Sequence, residues 1–127
     1  MPKLSIIIPC YNEVETIPAL INRLELIEND YTEVILVDNG STDDTAKVIN
    51  HSLFGMEPFL KIVTVHQNIG YGHGIMSGIK EATGDVIAWT HADLQTDPGD
   101  IIGAFDLYIN TINYQNYFLK GKRIGRN

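Results

Sequence analysis

Four times along this chain a short, near-continuous apolar run gives way to polar residues and then to a stretch of helical period. No other feature constrains the fold as strongly. The runs are Leu4–Pro9, Val34–Val37, Leu60–Val65 and Val86–Trp89, and they are rich in β-branched residues. Continuous rather than alternating apolarity predicts strands covered on both faces, as in a parallel sheet. Between the runs, Ile17, Leu20, Ile21, Leu24 and Ile27 repeat at helical spacing, with Thr16 as N-cap and Pro18 in the first turn. Ser41 or Thr42 caps a short helix through Val48 and Ile49, and Ile75, Ile79 and Ala82 mark a third helix that Gly84 closes. Asp97 and Pro98 open a fourth as N-cap and first residue, with Ile101, Ile102, Phe105 and Ile109 as its buried stripe. Residues 51–59 read as a loop and Tyr117–Leu119 as a fifth strand. The pattern predicts an α/β fold: a Rossmann-like, mostly parallel sheet with helices on both faces, in one domain over residues 1–127.

In such a sheet, ligands bind beyond the carboxyl ends of the strands, so the residues after each run carry the chemistry. After the first run come Pro9, Cys10, Tyr11, Asn12 and Glu13. Tyr11 suits the face or edge of a nucleobase, and Asn12 and Glu13 suit hydrogen bonds to base or ribose. The plainer reading is a capped loop with Glu13 solvated near a helix start. After the second run, Asp38 places a carboxylate at the sheet edge, where it accepts from the N–H donors of uracil or guanine. Gly40 allows a sharp turn there, and a generic turn residue is the bland alternative for Asp38.

The glycines between Asn68 and Gly78 open a helix and hint at a dinucleotide fingerprint. That fingerprint belongs to the first strand–helix turn, so Gly74 and Gly78 are better explained by close helix–sheet packing. After the fourth run stand His91, Asp93, Gln95 and Asp97. Asp97 is accounted for as a cap. Asp93 beside a diphosphate is repulsive, about 4 kcal/mol per unit pair at ~4 Å and an effective dielectric of ~20. A bridging Mg²⁺ or Mn²⁺ reverses that sign. Gln95 offers an oxygen to such a metal, and His91 a nitrogen that Mn²⁺ tolerates better than Mg²⁺. The basic residues Lys120, Lys122 and Arg123 read either as phosphate ligands or as a solvated tail.

The formal net charge of −7 argues against a nucleic-acid surface. It leaves room for a small nucleotide whose charge a metal offsets. One cysteine allows no internal disulfide, no signal peptide is visible at the N-terminus, and no apolar run is long enough to span a bilayer. A soluble, cytoplasmic protein is expected from these, with the membrane surface as its place in a full-length context.

Five segments together resemble the family 2 inverting glycosyltransferases, whose nucleotide-binding fold is called GT-A. They are Ser5–Glu13, Val34–Thr45, Asn68–Gly72, Ala82–Ile87 and Ala92–Pro98. The Asp93-Leu94-Gln95 segment is most similar to the polyprenyl-phosphate branch, which includes dolichol-phosphate mannose synthases. The resemblance implies that Pro9, Tyr11, Glu13 and Asp38 line the base and ribose pocket. It implies that Asp93 is the last acid of an Asp-x-Asp motif holding a metal on the diphosphate, with Gln95 at the same metal. The reaction implied is transfer of a sugar, with inversion, from a UDP- or GDP-linked donor, with a polyprenyl phosphate as acceptor. His91 stands where the motif has its first acid. Family members continue into an acceptor-binding half that carries the catalytic base, and no residue of this chain matches that base. Two alternatives follow. One is a non-catalytic nucleotide-sugar-binding or assembly module, with a second copy covering the open half-domain. The other is a dinucleotide-binding oxidoreductase fragment, suggested only by the glycine cluster.

Overall fold

The structure, a computed structural model, describes residues 2–52 and 55–111. The expected strand over Tyr117–Leu119 and the basic Lys120, Lys122 and Arg123 lie outside the described residues. The element order is β1 (Leu4–Cys10), α1 (Ile17–Leu26), β2 (Thr32–Asn39), α2 (Thr45–Ser52), β3 (Leu60–Val65), α3 (Tyr71–Lys80), β4 (Val86–Trp89) and α4 (Pro98–Ile109). The strands form one four-stranded sheet in the order β3-β2-β1-β4, and every neighbouring pair is parallel. The chain therefore builds outward from β1 through β2 to β3, then returns to the other side of β1 with β4. That reversal is a topological switch point, where an open α/β sheet leaves a crevice at its carboxyl edge.

The apolar runs are continuous because both faces are covered. Ile6, Ile8, Val34 and Leu36 face a core built with Ile17, Leu20 and Leu24 of α1, Ile49 of α2 and Phe105 of α4. Ile7, Ile35 and Val37 point to the other face, where Ile79 of α3 packs on them. Each such aliphatic side chain, fully buried, contributes about 1.5–3 kcal/mol. Tyr31 stacks on Phe105 with centroids 5.8 Å apart, tying α4 to the approach to β2.

At the opposite, amino-terminal edge sits Glu33, only 2% exposed. Ser5 Oγ and the Thr83 N–H each donate to it at 2.6 Å, and Lys61 Nζ lies 2.6 Å from its other oxygen. This one carboxylate joins β1, β2, β3 and the turn into β4. Burial opposes its charge, but the Lys61, Ser5 and Thr83 bonds outweigh that and hold its pKa at about 2.

Several element boundaries differ from expectation. α2 begins at Thr45, because the Ser41 and Thr42 hydroxyls are engaged with Asn12 instead of capping it. His51 and Ser52 belong to α2 and not to the loop. α3 starts at Tyr71 and ends at Lys80. Gly84 does not cap it; a Cβ there would lie 2.5 Å from Ser5 Oγ, so glycine is needed for close approach to β1. Thr16 occupies the N-cap position of α1, but its hydroxyl donates back to Glu13 and makes no cap bond. Asp97 does cap α4, accepting from the Gly99 N–H at 2.9 Å.

Candidate functional site: a cleft at the switch point

A cleft of about 190 Å³ opens where β1 and β4 end, and residues from four chain segments line it. Pro9, Cys10, Tyr11 and Glu13 come from the end of β1, Asn39 from the end of β2, Asn68 and Tyr71 from the approach to α3, and His91, Ala92 and Asp93 from the loop after β4. Of the residues expected in a base and ribose pocket, Pro9, Tyr11 and Glu13 are here. Asp38 is not among the lining residues. It is 4% exposed, pairs with Cys10 across the ladder, and accepts from the Ser41 N–H at 3.3 Å, which shapes the turn after β2. Its neighbour Asn39 takes the place at the wall.

Asn39 is only 3% exposed. Its Nδ2 donates to the Gly70 carbonyl at 3.2 Å, while its Oδ1 has no partner among the described residues. Leaving a buried acceptor unmade costs about 1–3 kcal/mol. Gly74 makes room for this amide, since a Cβ there would sit 2.7 Å from Asn39 Nδ2. The glycine-rich start of α3 thus serves packing against β2, as the sequence suggested.

The opposite rim carries the metal candidates. Thr90 and Thr96 hydroxyls bond at 3.0 Å and close the loop after β4. Within it, Leu94 adopts φ +66, and the Gln95 N–H donates to Asp93 Oδ1 at 3.1 Å. That single bond uses only part of the carboxylate's acceptor capacity. His91 stacks on Tyr71 with centroids 5.2 Å apart and an interplanar angle of 21°. Burial, and then the Asp93 charge, raise the Tyr71 pKa above its ordinary value. His91, Asp93 and Tyr71 therefore form one cluster in the cleft. Gln95 does not line it.

Among the described residues no three His, Cys, Asp or Glu side chains converge as a closed metal cage. Glu13 and Asp93 line the cleft, and among the described residues no Lys or Arg does. One carboxylate with an open aqueous side fits Mg²⁺ or Mn²⁺, which are commonly held by one or two carboxylates together with substrate phosphates. The donor set therefore fits the expected metal. Cys10 is a neutral wall group: burial, then the Glu13 and Asp38 charges, push its thiol far above the ordinary range.

A family model described as glycosyl transferase family 2 matches residues 5–112. The chain belongs to that family. Membership retires the oxidoreductase alternative. The undecaprenyl-phosphate 4-deoxy-4-formamido-L-arabinose transferase of Enterobacter sp. (strain 638) is 43% identical over 105 residues, which cover 78% of this chain and 31% of the relative. That of Yersinia enterocolitica is 39% identical over 103 residues, with the same coverage of 78% and 31%. These relatives bear out the expected likeness to polyprenyl-phosphate glycosyltransferases, and the chain spans about a third of their length. Among solved structures, the mannosyltransferase PcManGT from Pyrobaculum calidifontis, in complex with GDP-Man and Mn²⁺, superposes with a TM-score of 0.64 at 29% identity, covering 72% of this chain and 28% of that one. S. aureus TarS 1-349 in complex with UDP gives a TM-score of 0.66 at 25% identity, covering 84% and 33%. The fold is that of the GT-A glycosyltransferases, as the resemblance implied. Among the described residues no helix is long and apolar enough to cross a membrane.

Proposed function

We propose that this chain is the donor-binding part of a glycosyltransferase that moves a sugar, with inversion, from a UDP- or GDP-linked donor to a polyprenyl phosphate. The observation that carries donor binding is the switch-point cleft itself, which brings Pro9, Tyr11, Glu13 and Asn39 together with His91 and Asp93. Tyr11, 45% exposed in that cleft, offers a flat surface to the base. Pro9 and Glu13 complete that end, with Glu13 accepting from ribose hydroxyls. Asp38, at the end of β2 beside Asn39, shapes the turn there by accepting from the Ser41 N–H and stands next to the base end of the cleft. The polyprenyl-phosphate acceptor is taken from the relatives named for undecaprenyl phosphate, and the donor bases from the GDP-Man and UDP complexes.

At the other end, Asp93 is the residue that would hold a divalent metal, with His91 and Gln95 beside it. When bound, Mg²⁺ or Mn²⁺ supplies Lewis-acid stabilisation of the leaving diphosphate. The chain's own part is to present Asp93 on a closed loop and to keep His91 in place against Tyr71.

Calorimetric titration with UDP and with GDP, each with and without Mn²⁺, tests this reading. We expect one nucleotide to bind only with metal, and Asp93→Ala to weaken that binding by roughly 100-fold, as loss of a charged partner of about 3 kcal/mol implies. Tight binding indifferent to Mn²⁺ and to Asp93→Ala would remove Asp93 from the site.

A further inference from the structure

Asn12 stands between Tyr11 and Glu13 yet does not line the cleft that both of them face. Its backbone holds φ +52, the left-handed region that few residues other than glycine enter and that Asn tolerates best. Its polar groups are turned to the neighbouring loop. The Asn12 N–H donates to Ser41 Oγ at 3.0 Å. Asn12 Oδ1 accepts from the Thr42 N–H at 2.9 Å and the Asp43 N–H at 3.4 Å. Asn12 Nδ2 donates to Thr42 Oγ1 at 3.3 Å. One residue on, the Glu13 N–H donates to Thr45 Oγ1 at 2.9 Å, and that hydroxyl donates in turn to Asp43 Oδ1.

We propose that Asn12 is a positioning residue for nucleotide binding: its amide clips the loop after β1 onto the loop after β2, so that Tyr11, Glu13 and Asn39 line the cleft in a fixed relation to one another. The proposal rests on the nucleotide reading of that cleft. These lining residues belong to different loops, each on its own strand end. Without a link between them, a ligand would have to order both loops as it binds, and that ordering subtracts from affinity. The side-chain oxygen and nitrogen of Asn12 are both engaged by the loop after β2, which sets Asn12 apart from the groups that meet the nucleotide. The positive φ is part of the device, since it turns the amide away from the cleft while the residues on either side face it.

Asn12→Gly is the clean variant, because glycine accepts the left-handed backbone and only the amide is lost. Amide hydrogen exchange on the ligand-free chain reads the clip. Exchange is expected to quicken together at Glu13, Thr42 and Asp43, with Ile6, Ile7 and Ile8 unchanged. Titration with UDP and GDP in the presence of Mn²⁺ reads the positioning. Affinity is expected to fall roughly 10-fold, and Asn12→Gly added to Tyr11→Ala is expected to cost little more than Tyr11→Ala alone, as for coupled neighbours. Ser41→Ala, which removes only the acceptor of the Asn12 N–H, is expected to shift both readouts the same way by less. Fully additive losses would overturn the proposal by showing that Asn12 acts independently of Tyr11. Faster exchange with unchanged affinity would overturn it by reducing the clip to a structural link. A wild-type chain that binds neither nucleotide, but shows the expected exchange, would sink the nucleotide reading and the positioning role with it, while the clip itself would stand.

Discussion

Among the described residues, two without glycine's freedom sit in the left-handed region, Asn12 at φ +52 and Leu94 at φ +66. Each lies beside a group assigned to the site: Asn12 next to Tyr11 and Glu13, Leu94 next to Asp93. Such backbone costs on the order of 1–3 kcal/mol and persists where surroundings over-determine it. Asn12 is held by the loop after β2, and Leu94 by packing its side chain against the main core. Which strand-end residue reaches the cleft is also a residue-scale matter. Asp38 and Asn39 are adjacent, and a strand's alternation sends neighbours to opposite faces. The pattern after Val37 shows both residues, and of the two only Asn39 is among the lining residues. Asp97 is legible because a helix cap is local chemistry. Glu33 makes the stability of the fold depend on pH. Its pKa of about 2 lies below its ordinary 4.5, so the stability it confers is fully present above about pH 4.5 and is lost as pH falls toward 2. The shift corresponds to something on the order of 3 kcal/mol. Urea denaturation of wild type and Glu33→Gln at pH 7 and pH 3 checks this: the gap between them should be wide at pH 7 and narrow at pH 3. An equal gap at both would show that the Glu33 cluster does not carry that linkage.

Among the elements, the four apolar runs matched the four strands, because full burial on both faces leaves a signal that needs no partner to be read. The helix starts were less legible. Ser41 and Thr42 have the chemistry of caps, but Asn12 competes for them from 29 and 30 residues away. The start of α3 contains Gly72, Gly74 and Gly78, a poor helix sequence by propensity. Packing overrides propensity there: a Cβ on Gly78 would lie 2.6 Å from Ile7 Cγ2 and 2.8 Å from Val37 Cγ2. Propensity alone says that Gly78→Ala stabilises α3 by up to about 1 kcal/mol. Overpacking against β1 and β2 says that it destabilises by about 1–3 kcal/mol, and the second effect should win. A urea melt of Gly78→Ala with a lower midpoint would agree, and a higher midpoint would mean that α3 rides farther from the sheet.

For the molecule as a whole, the order β3-β2-β1-β4 fixes where function sits. The reversal at β1 brings together the ends of β1 and β4, so Tyr11 and Asp93, far apart in sequence, line one cleft. Of the strand-end acids, Glu13 and Asp93 line that cleft, and Asp38 is not among its lining residues. A net charge of −7 and a cleft that, among the described residues, is lined by carboxylates without Lys or Arg make an unaccompanied diphosphate a poor ligand, which is the physical basis for expecting metal dependence. The most direct test is an amide NMR map of the chain titrated with UDP or GDP and then with Mn²⁺, whose paramagnetism broadens nearby signals. Binding in the switch-point cleft predicts nucleotide-induced shifts at Tyr11, Glu13, Asn39 and Tyr71, with broadening centred on His91 to Gln95. Shifts confined to another surface, or Mn²⁺ broadening that leaves Asp93 untouched, would contradict the assignment of this cleft as the donor site.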